Sequence, residues 1–374
     1  MNNKNLILLG SIAVLMIIWA VVQSRISNRP NKEQHTNTYL IQGLDPDDIG
    51  SIVVKSKEDM VTLKHVDNSF VITDKDDYPA VSDEINTLIT SCLDIRTSEL
   101  YTDNPENFKD LGVTEEDAQN VIKFLKEDLG LITGIIIGNT KERGEGTFVR
   151  LVSNNNVYVT LKTPWIKNKA TNYLDQELIS IHRDDIESVT INLPKESYSL
   201  KEDNETKNIV LDNLPEGKKL NESAAASVFT ALSNLRFFDV KRNSSLEKKL
   251  NFDKQFICKL KNSTAYTINI AHNDDKTFIT CTAEFTDKTP VVKEKGTESE
   301  EELKRKESIL LAHEKAEAFQ ARHHDWVYEI SEYNATNLTK ERSALFEAAI
   351  DANEENTEKE TSEDKKPTPF HSTN

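Results

Sequence analysis

The sequence predicts an α+β fold with two tandem copies of a sheet-plus-helix unit, preceded by one amino-terminal transmembrane helix, and with a helical insertion in the second copy. Three observations support this prediction. An uncharged apolar run opens the chain, two similar series of short alternating segments follow, and a helix-forming stretch interrupts only the second series. The predicted segments are an anchor (1–24), a polar linker (25–38), a first repeat (39–182), a second repeat (183–350) with its insertion (286–325), and a disordered acidic tail (351–374).

The uncharged run begins at Leu6 and ends at Val22. A helix of this length extends about 25 Å, which is enough to cross the hydrocarbon core of a bilayer. Cleaved signal peptides have shorter apolar cores, and Trp19 near the end of the run is suited to a membrane interface. A retained signal anchor is therefore favoured, with a cleaved peptide and a buried core helix as the alternatives.

The charges that flank the anchor do not decide its orientation. Lys4 precedes it, whereas Arg25, Arg29 and Lys32 follow it, a balance that leans towards a cytoplasmic body. Long domains after a first apolar segment are translocated largely regardless of such charges. We therefore expect a single-pass protein of the inner (cytoplasmic) membrane whose body is periplasmic or otherwise extracytoplasmic.

Composition limits the classes of partner. With 46 basic and 63 acidic residues, the chain has a formal net charge of -17, which argues against binding to nucleic acid. The spacing of Cys92, Cys258 and Cys281 matches no metal or redox motif. Buried or free thiols are favoured, and a disulfide between Cys258 and Cys281 is the alternative.

The repeat is visible in two matching series of strands. Residues 48–55 (DIGSIVVK) open the first series and residues 185–192 (DIESVTIN) open the second. Further alternating segments follow at residues 60–65 and 69–73 in the first copy, and at residues 197–201 and 208–211 in the second. Period-two alternation between polar turns predicts a three-stranded meander in each copy.

A helix is predicted after each meander, with Ser82 and Asn221 as N-caps. Apolar residues at helical spacing predict a core-facing stripe on each helix. The two stripes are Ile85, Leu88, Ile89, Cys92 and Leu93, and Ala225, Val228, Phe229, Leu232 and Leu235. More strands follow in each copy, and residues 156–160 (NVYVT) are the counterpart of residues 326–330 (WVYEI).

The insertion occupies residues 286–325, where the first copy has only the turn at residues 154–156. Its composition favours one solvated helix. A narrow apolar stripe comprises Ile309, Leu310, His313, Ala316 and Phe319 or Gln320. Packing against the parent domain and contact with a partner remain alternatives for this stripe.

Four segments carry a resemblance to a known family: DIGSIVVKS, VITDKDDYPAVSDEINTLI, NFKDLGV and GTFVRLVSNNNVYV. With these, the chain resembles a bacterial family of unknown function whose members are typically membrane-anchored and often encoded beside genes for ABC-2 type, gliding-motility-like transporters. The resemblance implies an extracytoplasmic accessory of a transport system and supplies no catalytic residues. The insertion and the acidic tail depart from the family's compact pattern.

No catalytic, cofactor-binding or metal-ligating residue is predicted. Gly144 and Gly146 lack the context of a dinucleotide fingerprint and indicate a hairpin turn. His313 and Glu314 lack the second histidine of a zinc-protease motif. The remaining candidates are His323, His324 and Asp325, which suit a weak metal site or a helix end, and the acidic pairs Asp47-Asp48, Asp76-Asp77 and Asp184-Asp185, which lack a calcium-loop pattern.

These observations predict a non-catalytic, membrane-anchored envelope protein that acts as an accessory or scaffold of an ABC-type transport or envelope complex. Its expected partners are the bilayer and a membrane protein such as ABC transporter subunits, with no cofactor. The alternative is an extracytoplasmic binding module for glycan or another envelope polymer, with Trp165, Tyr173 and Tyr101 as contact residues.

Overall fold

The computed structural model describes residues 38–142, 145–203, 205–246, 248–287 and 299–347. Two compact units meet in sequence between Leu174 and Asp175. Each unit is built on one mainly antiparallel sheet with a few helices, so the predicted α+β class is confirmed. The predicted anchor from Leu6 to Val22 and the tail at residues 351–374 lie outside the described residues. Within the described residues, no helix combines the length and apolar character needed to cross a membrane.

The first unit contains a 10-stranded sheet in the order β1-β6-β10-β9-β8-β7-β2-β3-β4-β5. The strands are β1 (Thr38–Tyr39), β2 (Ser51–Ser56), β3 (Met60–Val66), β4 (Ser69–Ile72), β5 (Tyr78–Pro79), β6 (Arg96–Thr102), β7 (Asn120–Leu125), β8 (Leu131–Thr140), β9 (Thr147–Leu151) and β10 (Val157–Thr160). Alternation determines the inward face, as Ile52 and Val54 are buried opposite Leu63 and Val61. At the predicted hairpin turn β8 pairs with β9, and the Lys141 N–H donates to the Gly146 carbonyl at 3.0 Å, whereas Gly144 lies outside the described residues.

Helix α1 (Ser82–Leu93) packs through Ile85, Leu88, Ile89 and Cys92, which confirms the predicted stripe except for half-buried Leu93. The predicted N-cap is wrong by one residue. Val81 occupies the cap position without a side-chain hydrogen bond, and its carbonyl accepts from the N–H groups of Glu84 and Ile85, so Ser82 is already helical.

The other face of the first sheet is also covered. Val121 and Ile122 are consecutive residues of β7 and both are buried, so apolar layers lie on both sides of this strand. Helix α2 (Phe108–Leu111) contributes Phe108 to a cluster around Val121. The rest of that cluster comprises Val113, Ala118, Ile136, Phe148, Val157 and Val159.

The second unit contains a 9-stranded sheet in the order β11-β15-β19-β18-β17-β16-β12-β13-β14. The strands are β11 (Glu177–Ile179), β12 (Ile186–Asn192), β13 (Ser197–Glu202), β14 (Ile209–Leu211), β15 (Leu235–Arg242), β16 (Lys254–Leu260), β17 (Thr264–Asn273), β18 (Lys276–Phe285) and β19 (Trp326–Ile330). Its helices are α3 (Glu222–Phe229), α4 (Glu300–His323) and α5 (Glu332–Leu338).

Helix α3 begins as predicted, because Asn221 Oδ1 accepts a hydrogen bond of 3.0 Å from the Ala224 N–H. Ala225, Val228 and Phe229 are buried on it. Leu232 and Leu235 are buried too, but they lie beyond the end of the helix, and Leu235 opens β15. The predicted helical stripe therefore continues through the turn into the next strand.

Edge strands differ from the sequence prediction. Strand β11 pairs with β15, which places residues 175–182 with the second unit although the predicted boundary followed residue 182. Strand β1 forms the corresponding edge of the first sheet, where Thr38 pairs with Thr97. Strands of two or three residues are too short to show alternation, so no pattern signalled them.

All three cysteines are buried and free. Cys258 pairs in register with Tyr266 on β17, and Cys281 pairs with Ile268 on the other side of that strand. Because β17 separates them, the two thiols are about two strand spacings apart, roughly 10 Å, which exceeds the Cα separation that a disulfide allows. The alternative of a Cys258 to Cys281 disulfide is therefore wrong.

Candidate interaction surfaces

The predicted histidine cluster divides into a core residue and a surface residue. His323 is 5% exposed, and its Nδ1 lies 2.6 Å from the Tyr328 hydroxyl oxygen. Burial, assisted by the Arg322 charge, lowers the pKa of His323 to about 4, so its ring is neutral at pH 7. His324 is exposed, with Nε2 3.1 Å from Asp325 Oδ1. The three side chains therefore do not converge, and the described residues contain no group of three or more metal-ligating side chains.

The acidic pairs lie at turns. Asp47 and Asp48 belong to a 3-10 turn, Pro46–Asp48, in which Asp45 Oδ1 accepts from the Asp47 N–H. The turn Arg183–Asp185 contains the second pair and precedes β12. Asp76 and Asp77 adopt left-handed backbone conformations, with φ of 55° and 62°. These positions give each pair a role in chain reversal, for which short polar side chains are suited.

Helix α4 docks through its carboxyl-terminal half. Ala312, Ala316 and His323 are buried there, and the Phe319 ring meets Tyr266 on β17 edge-on at 5.1 Å. Gln320 Oε1 accepts a hydrogen bond of 3.2 Å from the Ala283 N–H of β18. The described helix of the insertion therefore packs against the sheet, since small alanines let it approach closely.

Part of the predicted stripe is wrong, because Leu310 and His313 are exposed. The docked face instead runs through Ala312 and Ala316, whose small side chains give little hydrophobic signal in the sequence. Beyond Ile279, β18 has no strand beside it on the β19 side within the described residues, and α4 lies over that stretch. The helix therefore covers the open length of β18.

The amino-terminal half of α4 carries an undocked apolar surface. Leu303, Leu310 and Leu311 are exposed, and the residues from 300 to 308 contribute no buried side chain. Leu303 and Leu310 are seven residues apart and therefore share one side of the helix. Ser299 and Glu302 form a capping box that fixes the start of this half. We name Leu303, Leu310 and Leu311 the leucine surface.

The three predicted aromatic contacts differ in exposure. Tyr173 is fully buried, and its hydroxyl donates a 2.6 Å hydrogen bond to the Lys167 carbonyl. Tyr101 is exposed with its ring 4.8 Å from Phe148. Trp165 is 82% exposed. Tyr173 is therefore excluded as a contact residue, whereas Trp165 offers nearly its whole indole to solvent.

Trp165 borders a cleft of about 530 Å³ in the first unit, together with Ile95, Arg96, Leu161 and Lys162. Backbone bonds connect its walls, because the Leu161 N–H donates to the Arg96 carbonyl at 3.1 Å. Sequence reasoning missed this grouping, since it depends on the pairing of β6 with β1 and with the segment after β10.

Arg96 also ties the cleft to the first strand. Its Nη2 donates a 2.7 Å hydrogen bond to the Tyr39 hydroxyl, and its guanidinium carbon lies 4.8 Å from the centre of the Tyr39 ring. We name Tyr39, Arg96, Leu161, Lys162 and Trp165 the tryptophan surface. It combines two exposed aromatic rings with two cationic groups at one edge of the sheet.

A second cavity, of about 310 Å³, is bordered by Ser51, Lys64, Thr73 and Leu129. Ser51 is 4% exposed, and its hydroxyl has no hydrogen-bond partner among the described atoms. Burial of a hydroxyl without a hydrogen-bond partner lowers stability, and Ser51 is the residue of this cavity to which that rule applies. No sequence pattern singles out Ser51.

The comparison with protein families covers parts of both units. Residues 71–255 match the family model of a domain of unknown function, DUF4340. The DUF4340 match begins in β4 of the first unit and ends in β16 of the second, so it includes α1, α3 and the division between the units. It agrees with the predicted resemblance to a family of unknown function. No curated protein and no solved structure matches the chain.

Proposed function

We propose that the chain is a non-catalytic accessory or scaffold protein of an ABC-type transport or envelope complex, anchored in the membrane from Leu6 to Val22 with its body outside the cytoplasm. The observation that carries the proposal is that only one half of helix α4 packs against the sheet. One half is fixed on β18 and β17, while the other presents the leucine surface. A helix held in this way offers a preformed apolar stripe to a partner protein.

The chemistry of the leucine surface favours a protein partner. Burial of one leucine side chain contributes about 1.5–3 kcal/mol, so three such residues can contribute substantially to association. An amphipathic helix that lies in a hydrophobic groove is a common mode of recognition. Since the sheet already orders α4, binding loses less conformational entropy than it would with a free peptide.

The proposal includes a duplication: the two units are copies of one fold. Its support is the order of strands, because β1-β6-β10-β9-β8-β7-β2-β3-β4 in the first sheet corresponds position by position to the order in the second. Helices α1 and α3 also occupy equivalent places, before β6 and β15. Two similar platforms on one anchor suit a scaffold, because a linked second contact strengthens the first.

Affinity purification of the full chain from solubilised membranes tests the scaffold function. We expect the parent chain to recover ATP-binding and permease subunits of a transporter, identified by mass spectrometry. A variant with Leu303→Gln and Leu310→Gln is expected to recover at least tenfold less. The matched control, Glu307→Gln and Glu314→Gln, changes exposed residues of the same helix and is expected to keep full recovery.

Two results would contradict the proposal. If the parent chain is recovered without transporter subunits, the proposed transport partner is contradicted. Equal recovery by the leucine and glutamate variants would show that α4 is not the contact. A reporter fused to the carboxyl terminus tests orientation separately, since activity in the cytoplasm would contradict an extracytoplasmic body.

A further inference from the structure

We propose that the tryptophan surface lies against the lipid headgroups of the membrane that anchors the chain. This inference rests on the proposed anchor and adds a second, reversible membrane contact made by the folded first unit. It assigns a role to Trp165 and Arg96, which the scaffold function does not use.

The exposed groups have the chemistry of a membrane interface. Trp165 is 82% exposed, and Tyr39 and Leu161 on the same surface are exposed as well. Tryptophan and tyrosine are enriched at the headgroup level because each combines an apolar ring with one polar group. Transfer of the exposed Trp165 indole from water to the headgroup level is therefore favourable.

The local charge is opposite to that of the whole chain. Residues 161–173 contain three lysines and no Asp or Glu, in a protein of formal net charge -17. Of these lysines, Lys167 pairs with Glu84, whereas Lys162 has no ion pair in the described part of the chain. Arg96 adds a further cation, and Asp94 is the one carboxylate that borders the cleft. The local field of a basic site on an acidic body favours the orientation in which that site faces anionic headgroups.

The chain length places this surface near the anchor. Residues 23–37 separate Val22 from Thr38, and 15 residues span at most about 50 Å when fully extended. That segment has three basic residues and one acidic residue, so its charge also favours anionic lipid. Thr38 begins β1, and its neighbour Tyr39 is held by Arg96 of the tryptophan surface. Tyr39 of the proposed contact is thus the second described residue after the predicted anchor.

Site-directed labelling of the full chain tests the contact. Cys92, Cys258 and Cys281 are buried, so one added surface cysteine reacts selectively. Lys162→Cys places an environment-sensitive fluorophore on the tryptophan surface, and Lys57→Cys places the same label in the exposed turn between β2 and β3. Both chains are reconstituted into phosphatidylcholine vesicles with a quarter phosphatidylglycerol and a spin-labelled lipid that quenches at the headgroup.

We expect quenching at position 162 to exceed that at position 57 at least threefold, and Trp165→Ser to remove most of the difference. High salt is expected to reduce this difference in quenching in part, because screening weakens only the cationic contribution.

Equal, weak quenching at both positions in chains that float with the vesicles would overturn this inference alone. Chains that fail to float would overturn the anchor and this inference together. A label at position 162 that responds to soluble cell-wall saccharide and not to lipid would identify a glycan site instead.

Discussion

The Nδ1 atom of His323 lies 2.6 Å from the hydroxyl oxygen of Tyr328, inside the second unit. This contact joins the end of α4 to the strand that follows the insertion, β19. The Tyr328 ring also packs against Phe237 of β15, with ring centres 4.9 Å apart. A neutral histidine at this position therefore links the inserted helix to the middle of the sheet.

Acidification is expected to destabilise the chain through His323. Its pKa in the folded state is lowered to about 4, below the value near 6.5 for an exposed histidine, so the unfolded chain binds more protons between these values. The contribution of His323 to the free energy of unfolding is therefore largest above about pH 6.5. It falls by roughly 3 kcal/mol as the pH falls towards 4. His323→Gln keeps a hydrogen-bonding group without this titration. Urea unfolding of both chains at pH 7, 5 and 4 should give a steeper loss for the parent, and parallel losses would contradict the assignment.

Removal of the Ser51 hydroxyl is expected to stabilise the first unit. The hydroxyl is buried without a partner, so folding desolvates it without compensation. Ser51→Ala should raise the free energy of unfolding by about 1 kcal/mol. Thr147→Val is the control, because the Thr147 hydroxyl lies 3.0 Å from that of Thr163 and its removal should cost about 1 kcal/mol. A destabilised Ser51→Ala chain would indicate that an ordered water binds this hydroxyl.

Gly50 is expected to tolerate no side chain. A Cβ atom there would lie 2.3 Å from the backbone nitrogen of Glu127, so the turn between β7 and β8 would have to move. Gly50→Ala should lower the free energy of unfolding by about 2–3 kcal/mol. At Gly43, where φ is +75° and the space is open, alanine should cost only about 1 kcal/mol of backbone strain. Equal losses in urea unfolding would show that the close approach is relieved without cost.

A charge at Ala316 is expected to release α4 from the sheet. Ala316 is 1% exposed, so a glutamate there must lose its hydration or leave the interface. Ala316→Glu should speed chymotrypsin cleavage within the helix more than tenfold, since undocked segments are cut from the open state. Lys315→Glu introduces the same group at the next, exposed position and should leave the rate nearly unchanged. Similar acceleration in both variants would mean that the docking of α4 contributes little.

The long strands were predictable because apolar residues alternate in the sequence with the same period of two as buried residues in the strand. In β2, Ile52 and Val54 are both apolar and buried. The edge pair Thr38 and Thr97 was not predictable, since β1 is two residues long and its partner lies far along the chain. The tryptophan surface was missed for the same reason, although Trp165 itself was named.

Which side of a helix faces the sheet was harder to predict than whether a segment is helical. The sequence of the insertion indicates a helix through its composition, but Leu310 gives a stronger apolar signal than Ala312, and only the latter is buried. Which side docks depends on how closely the helix approaches β18, and that distance is a tertiary property. The Ser51 hydroxyl illustrates the same limit, because its missing partner is visible only once the surrounding strands are in place.

The cover that α4 gives to β18 has a consequence for truncation of the chain. A strand edge with free N–H and C=O groups is a template for pairing with other chains, and natural sheets protect such edges. A shortened protein in which a short flexible linker replaces α4 between β18 and β19 would retain the described strands yet expose the outer half of β18. Such a chain is expected to fold and then self-associate, edge to edge, so solubility depends on the insertion even where folding does not.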